Sequence, residues 1–117
     1  MTEFMTKTWP DIVAHYDGYD GDWQSIRALG NLAREVSQGL LGPGLFAWTS
    51  MHDLCIVQKE VTYPYNGPFL RLSPVSNNEI EFRYIDTRIA AKQWHRMVKA
   101  EHAVPRLHKF LDELRWL

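Results

Sequence analysis

The hydrophobic period of this chain switches from helical to strand spacing across residues 39–44, and that change limits the fold more than any other feature. Before it, apolar residues recur at three- and four-residue spacing: Trp9, Ile12, Val13 and Tyr16, then Trp23, Ile26, Leu29, Ala33 and Val36. Such spacing puts one buried stripe on a helix. Thr8-Trp9-Pro10-Asp11 supplies a cap residue, an early proline and a first-turn acid for the first helix, predicted to run to about residue 16. The second is predicted to start at an Asp20 or Asp22 cap and to run to Gln38, with Gly39 as its stop. Gly30 falls inside it, which close packing against a neighbour would explain.

Beyond Leu40-Leu41-Gly42-Pro43-Gly44 the pattern is that of strands. Residues 45–49 and 54–60 are rich in β-branched and aromatic types, joined by a turn at 50–53; residues 69–73 make a third strand. Residues 79–86 alternate strictly: Ile80, Phe82 and Tyr84 on one side, Glu79, Glu81 and Arg83 on the other. One face of that sheet therefore meets a core and the other is wet. Residues 87–99 fit either a helical face or a loop followed by a strand at 93–98; a clear helix starting soon afterwards favours the strand. That last helix carries Val104, Leu107, Leu111 and Leu114, with Phe110, Trp116 and Leu117 adding apolar surface that docks the C-terminus. Runs of one element type imply an α+β fold: a mainly antiparallel sheet of four to five strands, about residues 45–98, packed on two N-terminal helices and one C-terminal helix. At 117 residues, residues 1–117 suit a single domain.

Between the first two helices lies the densest chemistry in the chain, His15-Tyr16-Asp17-Gly18-Tyr19-Asp20-Gly21-Asp22-Trp23. A calcium loop needs alternate oxygen ligands and a bidentate Glu at its twelfth position. Counting from Asp17 or Asp20, that position holds Ala28 or Asn31, so no metal site is expected. Two roles remain: capping of the second helix by Asp20 or Asp22, and a partner-binding surface of Tyr16, Asp17, Tyr19, Asp20 and Asp22 that meets a basic groove.

Ser50-Met51-His52-Asp53-Leu54-Cys55 gathers nucleophile, base and acid types, but catalytic triads converge from separate elements. There is no Gly-x-Ser-x-Gly elbow, no phosphate loop and no paired-histidine motif. No catalytic residue and no cofactor is therefore assigned. An alternative enzyme or ligand site would have to be assembled around His52 and Asp53, with His95 or Tyr63. Trp94-His95-Arg96, near Arg88 and Lys92, is the best candidate for nucleic acid, although a buried Trp with solvated bases is the simpler reading.

Residues 1–40 carry six acids against three bases, and residues 83–117 eight bases against four acids. The simplest expectation is that the two ends lie together and neutralise each other. No run approaches the roughly 20 apolar residues of a membrane helix, and the N-terminal residues have no signal-peptide pattern. Cys55 is the sole cysteine and sits among apolar neighbours, which suits a buried thiol in a reducing cytoplasm. Together these features describe a small cytoplasmic, non-enzymatic interaction module, such as the immunity-type inhibitor of a bacterial toxin, whose partner is another protein; the sheet's polar face remains open for a homodimer seam.

Overall fold

The computed structural model describes residues 4–39 and 41–116. Helix α1, Trp9–Asp17, starts at Thr8, whose hydroxyl accepts from the Asp11 amide at 3.2 Å. Helix α2 spans Gln24–Gln38. Five strands follow: β1 (Phe46–Ser50), β2 (Asp53–Val57), β3 (Phe69–Ser76), β4 (Glu79–Ile85) and β5 (Trp94–Lys99), and then helix α3, Ala103–Glu113. The strands form one antiparallel sheet in chain order. This is the α+β architecture the period change implies.

The ambiguous stretch resolves as loop and strand. Ala90–Lys92 forms a single 3-10 turn. Buried Asp86 organises the connection by accepting the Arg88 amide at 3.0 Å and the Ile89 amide at 3.3 Å, while its own amide donates to Gln93 Oε1. Strand β3 runs further than expected, through a register irregularity at Pro74–Ser76, so only Asn77 and Asn78 turn into β4.

All three helices cover one sheet face. Its inward residues are Ala47, Leu54, Ile56, Leu70, Leu72, Ile80, Phe82, Tyr84 and Val98, which join Ile12, Leu29, Leu32, Ala33, Leu107 and Leu111 in one core. Trp94 belongs to this face too, with its ring 5.0 Å from Phe110 and 6.0 Å from Tyr84. The Trp94-His95-Arg96 cluster thus spends its aromatic on packing, not on stacking a base. Gly30 sits where α2 crosses α1, and a Cβ there would meet Tyr16 Cβ at 2.9 Å. The glycine permits the close crossing that its mid-helix position suggested.

Helix α3 ends with Arg115 at φ 60°. The Trp116 amide donates to Leu111 O at 2.9 Å and the Arg115 amide to Asp112 O at 3.0 Å. This is a Schellman stop, and it folds Trp116 back toward Tyr84, 6.2 Å away between ring centroids. The docked C-terminus is seen as far as Trp116; Leu117 lies outside the described residues.

The charge expectation holds only in part: α2 packs against α3, so the two ends do lie side by side, but among the described residues no ion pair joins them. Among the described residues the ion pairs join Asp17 to Arg34, Asp53 to Arg71, and the β4 acids Glu79 and Glu81 to Lys99, Arg83 and His95. None joins residues 1–40 to residues 83–117. Local pairing takes up Asp17 with Arg34 at the α1–α2 crossing, and Arg83, His95 and Lys99 with the β4 acids, while Asp20, Asp22, Arg88, Lys92 and Arg96 stay unpaired among the described residues.

Candidate functional site

Antiparallel connectivity places the end of α1, the start of α2, the β1–β2 turn and the β3–β4 turn at the same end of the molecule. The loop of residues 18–23 lies among them, held by several hydrogen bonds. The Tyr19 amide donates to Tyr16 O at 3.0 Å, Arg27 Nη2 donates to Gly21 O at 2.7 Å, and the Trp23 amide donates to the Tyr19 hydroxyl at 3.0 Å. The Tyr19 ring lies over Gly21, where any Cβ would run into it.

Helix α2 is not capped by the loop's own acids. Its N-cap is Trp23, which makes no side-chain cap. The β3–β4 turn does the work instead: Asn77 Oδ1 accepts the Gln24 amide at 3.1 Å, and Asn77 O accepts the Ser25 amide at 2.7 Å. Buried Ser25 completes the junction by donating from Oγ to Ser76 O at 2.6 Å. The capping expectation for Asp20 and Asp22 therefore fails, because a residue more than fifty positions away reaches the orphan donors first. Both carboxylates are left at the exposed rim of the loop, in no ion pair or cap among the described residues.

The other expected contact residues fall in different places. Tyr16 is 5% exposed, so it lies beneath the surface; its hydroxyl donates to His52 O at 2.9 Å. Burial, with the nearby Cys55 and Asp53 adding to it, holds its phenol protonated far above the ordinary range. Asp17 is exposed and accepts Arg34 Nη2 at 2.7 Å. Tyr19 is half-buried, its ring centroid 5.3 Å from that of His52 in an edge-on arrangement. A depression of about 200 Å³ opens beside the loop, lined by Asp17, Tyr19, Arg27, Asn31 and Arg34 among others.

The structure adds a residue that spacing did not single out. In the two-residue β1–β2 turn Met51 has φ 57° and is 87% exposed. The first central position of such a turn at positive φ is one that glycine normally fills. Two consecutive α1 side chains hold this turn: His15 Nε2 donates to Met51 O at 2.7 Å, and Tyr16 donates to His52 O. Met51, His52, His15 and Tyr19 thus form one apolar and imidazole-rich tip beside the carboxylate rim. A hairpin turn without Gly, Asn or Asp at its two centres was the available sequence signal.

The residues of the alternative site do not converge. The His52 ring faces Tyr19, whereas Asp53 points across the far sheet face, where its Oδ2 accepts from Arg71 Nε at 2.7 Å and Ser73 Oγ at 2.8 Å. Asp53 therefore spends its carboxylate across the sheet, not on its own turn. The network continues as Arg83 donates to Ser73 Oγ at 3.2 Å and pairs with Glu81, which also meets His95 at 3.6 Å. His95 stands on β5, three strands from Asp53. Tyr63 is in the β2–β3 loop at the other end of the sheet, 81% exposed. Cys55, on β2 opposite Arg71, is fully buried, and burial pushes its thiol up to about 12. Among the described residues, no group of three or more His, Cys, Asp or Glu side chains could hold a metal ion, and no helix is long and apolar enough to cross a membrane.

No family model, curated protein or solved structure matches this chain.

Proposed function

We propose that the protein is a protein-binding module whose contact surface is this end of the molecule: the exposed tip of Met51 and His52, the flank of Tyr19, and the carboxylate rim of Asp17, Asp20 and Asp22. The observation that carries the reading is Met51. A long apolar side chain in a left-handed turn gains nothing from burial and raises the free energy of the backbone, so stability alone selects against it. An exposed apolar side chain beside a carboxylate rim is the composition of a binding patch. The carboxylates, released from capping, steer the surface toward a basic partner.

A small inhibitor that occludes a basic active groove, in the manner of bacterial immunity proteins, is the concrete form of this role. The single buried thiol supports a reducing compartment such as the cytoplasm.

The test is affinity capture from native cytoplasm, identification of the bound protein by mass spectrometry, and calorimetry with that purified protein. Met51→Gly and the double variant Asp20→Lys/Asp22→Lys should each weaken its binding by about tenfold or more, the scale of an interface hot spot. Tyr63→Ala, at the opposite end, should leave it unchanged. Undiminished affinity in both tip variants would remove this surface from the proposal.

A further inference from the structure

The two edges of the sheet are treated differently. At the β1 edge the N-terminal segment is laid alongside, with the Lys7 amide donating to Ala47 O at 2.8 Å. Strand β5 forms the opposite edge and, among the described residues, pairs only with β4. The parity of its backbone groups follows from one bond, the Ala100 amide to Asn78 O at 2.8 Å. In an antiparallel ladder, groups alternate between facing the neighbour and facing away. Trp94, Arg96 and Val98 therefore bond to β4, and the N–H and C=O groups of His95, Met97 and Lys99 face outward. An independent contact agrees: the Arg96 guanidinium bends back to donate to the outward His95 carbonyl at 2.8 Å.

The side chains along this edge carry one sign of charge. Residues 87–100 contain Arg88, Lys92, His95, Arg96 and Lys99 and no acid. Glu81 and Glu79 on β4 lie behind His95 and Lys99, at 3.6 and 4.0 Å. The surplus is carried by Arg88, Lys92 and Arg96, all exposed and unmatched by a carboxylate among the described residues. Met97 and Ile89 add exposed apolar surface beside them.

We propose that the β5 edge receives an extended acidic segment of a partner protein as a sixth strand, whose backbone bonds to His95, Met97 and Lys99 and whose carboxylates meet Arg88, Lys92 and Arg96. A second copy of this chain is the competing occupant, and charge decides against it. Two β5 strands side by side would oppose bases to bases, which destabilises a pair, and basic edge residues deter self-pairing in general. The same charges favour an acidic strand, because main-chain bonds supply affinity and the flanking cations select the sequence. The edge lies four interstrand steps from β1, roughly 19 Å at about 4.8 Å per step. It is thus a second surface, independent of the Met51 tip.

The test uses the full chain and two soluble octapeptides, one alternating threonine with glutamate and one alternating threonine with lysine. The acidic peptide should bind saturably with a Kd below about 1 mM, slow amide exchange at His95, Met97 and Lys99, and bind more weakly as salt rises. The lysine peptide should not bind. Met97→Pro removes only an outward-facing donor, a substitution that edge strands accept; it should preserve the fold by circular dichroism and abolish binding. Arg96→Glu/Lys92→Glu should weaken the acidic peptide by about tenfold or more, given the charge-assisted contacts it removes. Each of four results would overturn the proposal: no saturation, equal binding by Met97→Pro, concentration-dependent dimers lost in Met97→Pro, or displacement of the peptide by a single-stranded oligonucleotide.

Discussion

Replacing Met51 with glycine should make the domain more stable and its partner binding weaker. The side chain is almost wholly in solvent, so its removal forfeits little buried area. The backbone at φ 57° costs an L-residue about 1–2 kcal/mol. Glycine returns part of that through the greater freedom of the unfolded chain, about 0.4–1 kcal/mol. The net gain is about 0.5–1 kcal/mol, which shifts the melting temperature upward by roughly 2–4 °C for a domain of this size. Met51→Ala separates the two effects, since it loses the side chain and keeps the backbone cost; its melting temperature should stay within about 1 °C of the parent. Differential scanning calorimetry of the three proteins provides the measurement. Arg115→Gly is the internal control, because Arg115 occupies the left-handed position of the α3 stop with no role in the tip. It should be stabilised by a similar amount. A lower melting temperature for Met51→Gly, with Arg115→Gly raised as expected, would show that the Met51 side chain stabilises the turn and would remove the argument that it is kept for binding.

Asn77→Ala should destabilise the domain by about 1 kcal/mol, the usual value of an N-cap, while Asp20→Ala and Asp22→Ala stay within about 0.5 kcal/mol of the parent; urea titration reads all three. Gly30→Ala should also destabilise, as overpacking costs about 1–3 kcal/mol against a helix-propensity gain of about 1. The obstructing atom is Tyr16 Cβ, which moves only with the backbone; a raised melting temperature would mean that the helices can separate. With the Cys55 thiol raised to about 12, the unfolded chain releases its thiol proton first as pH rises. Stability is therefore full below the unfolded value and falls above about pH 8.5, by at most about 1.4 kcal/mol per pH unit from this group. Calorimetry between pH 7 and 10.5 should show that decline, and Cys55→Ala should reduce its slope.

The fold was legible because its information is local. The stripe at Ile26, Leu29, Ala33 and Val36 and the alternation of Ile80, Phe82 and Tyr84 each require only their own neighbours, and each specifies the face it buries. What escaped was decided between distant residues. Asp20 and Asp22 have the right chemistry and position to cap α2, but Asn77 arrives on a hairpin that no local pattern ties to that helix. Tyr16 was legible in two ways: its spacing after Trp9, Ile12 and Val13 puts it in the buried stripe, while its place beside an acidic loop suits an exposed contact, and the close crossing at Gly30 decides for the core. The loop's role as a surface and its role as a cap were separable only once the β3–β4 turn was in place.

That separation bears on how the end of the molecule is built. Elements from elsewhere in the chain meet open backbone groups at both the α2 start and the β1–β2 turn: Asn77 accepts the Gln24 and Ser25 amides, and His15 and Tyr16 donate to the Met51 and His52 carbonyls. Tyr19, whose hydroxyl accepts the Trp23 amide, is the loop side chain spent on structure; Asp20, Asp22 and Met51 make no hydrogen bond or ion pair through their side chains among the described residues. Asp20, Asp22 and Met51 can then be replaced at little cost in folding, or with a gain at position 51, and the requirement that keeps them must be tested in binding. A scaffold that fixes the backbone and leaves the side chains uncommitted is what a preorganised contact surface requires, since the ordering cost is met before the partner arrives.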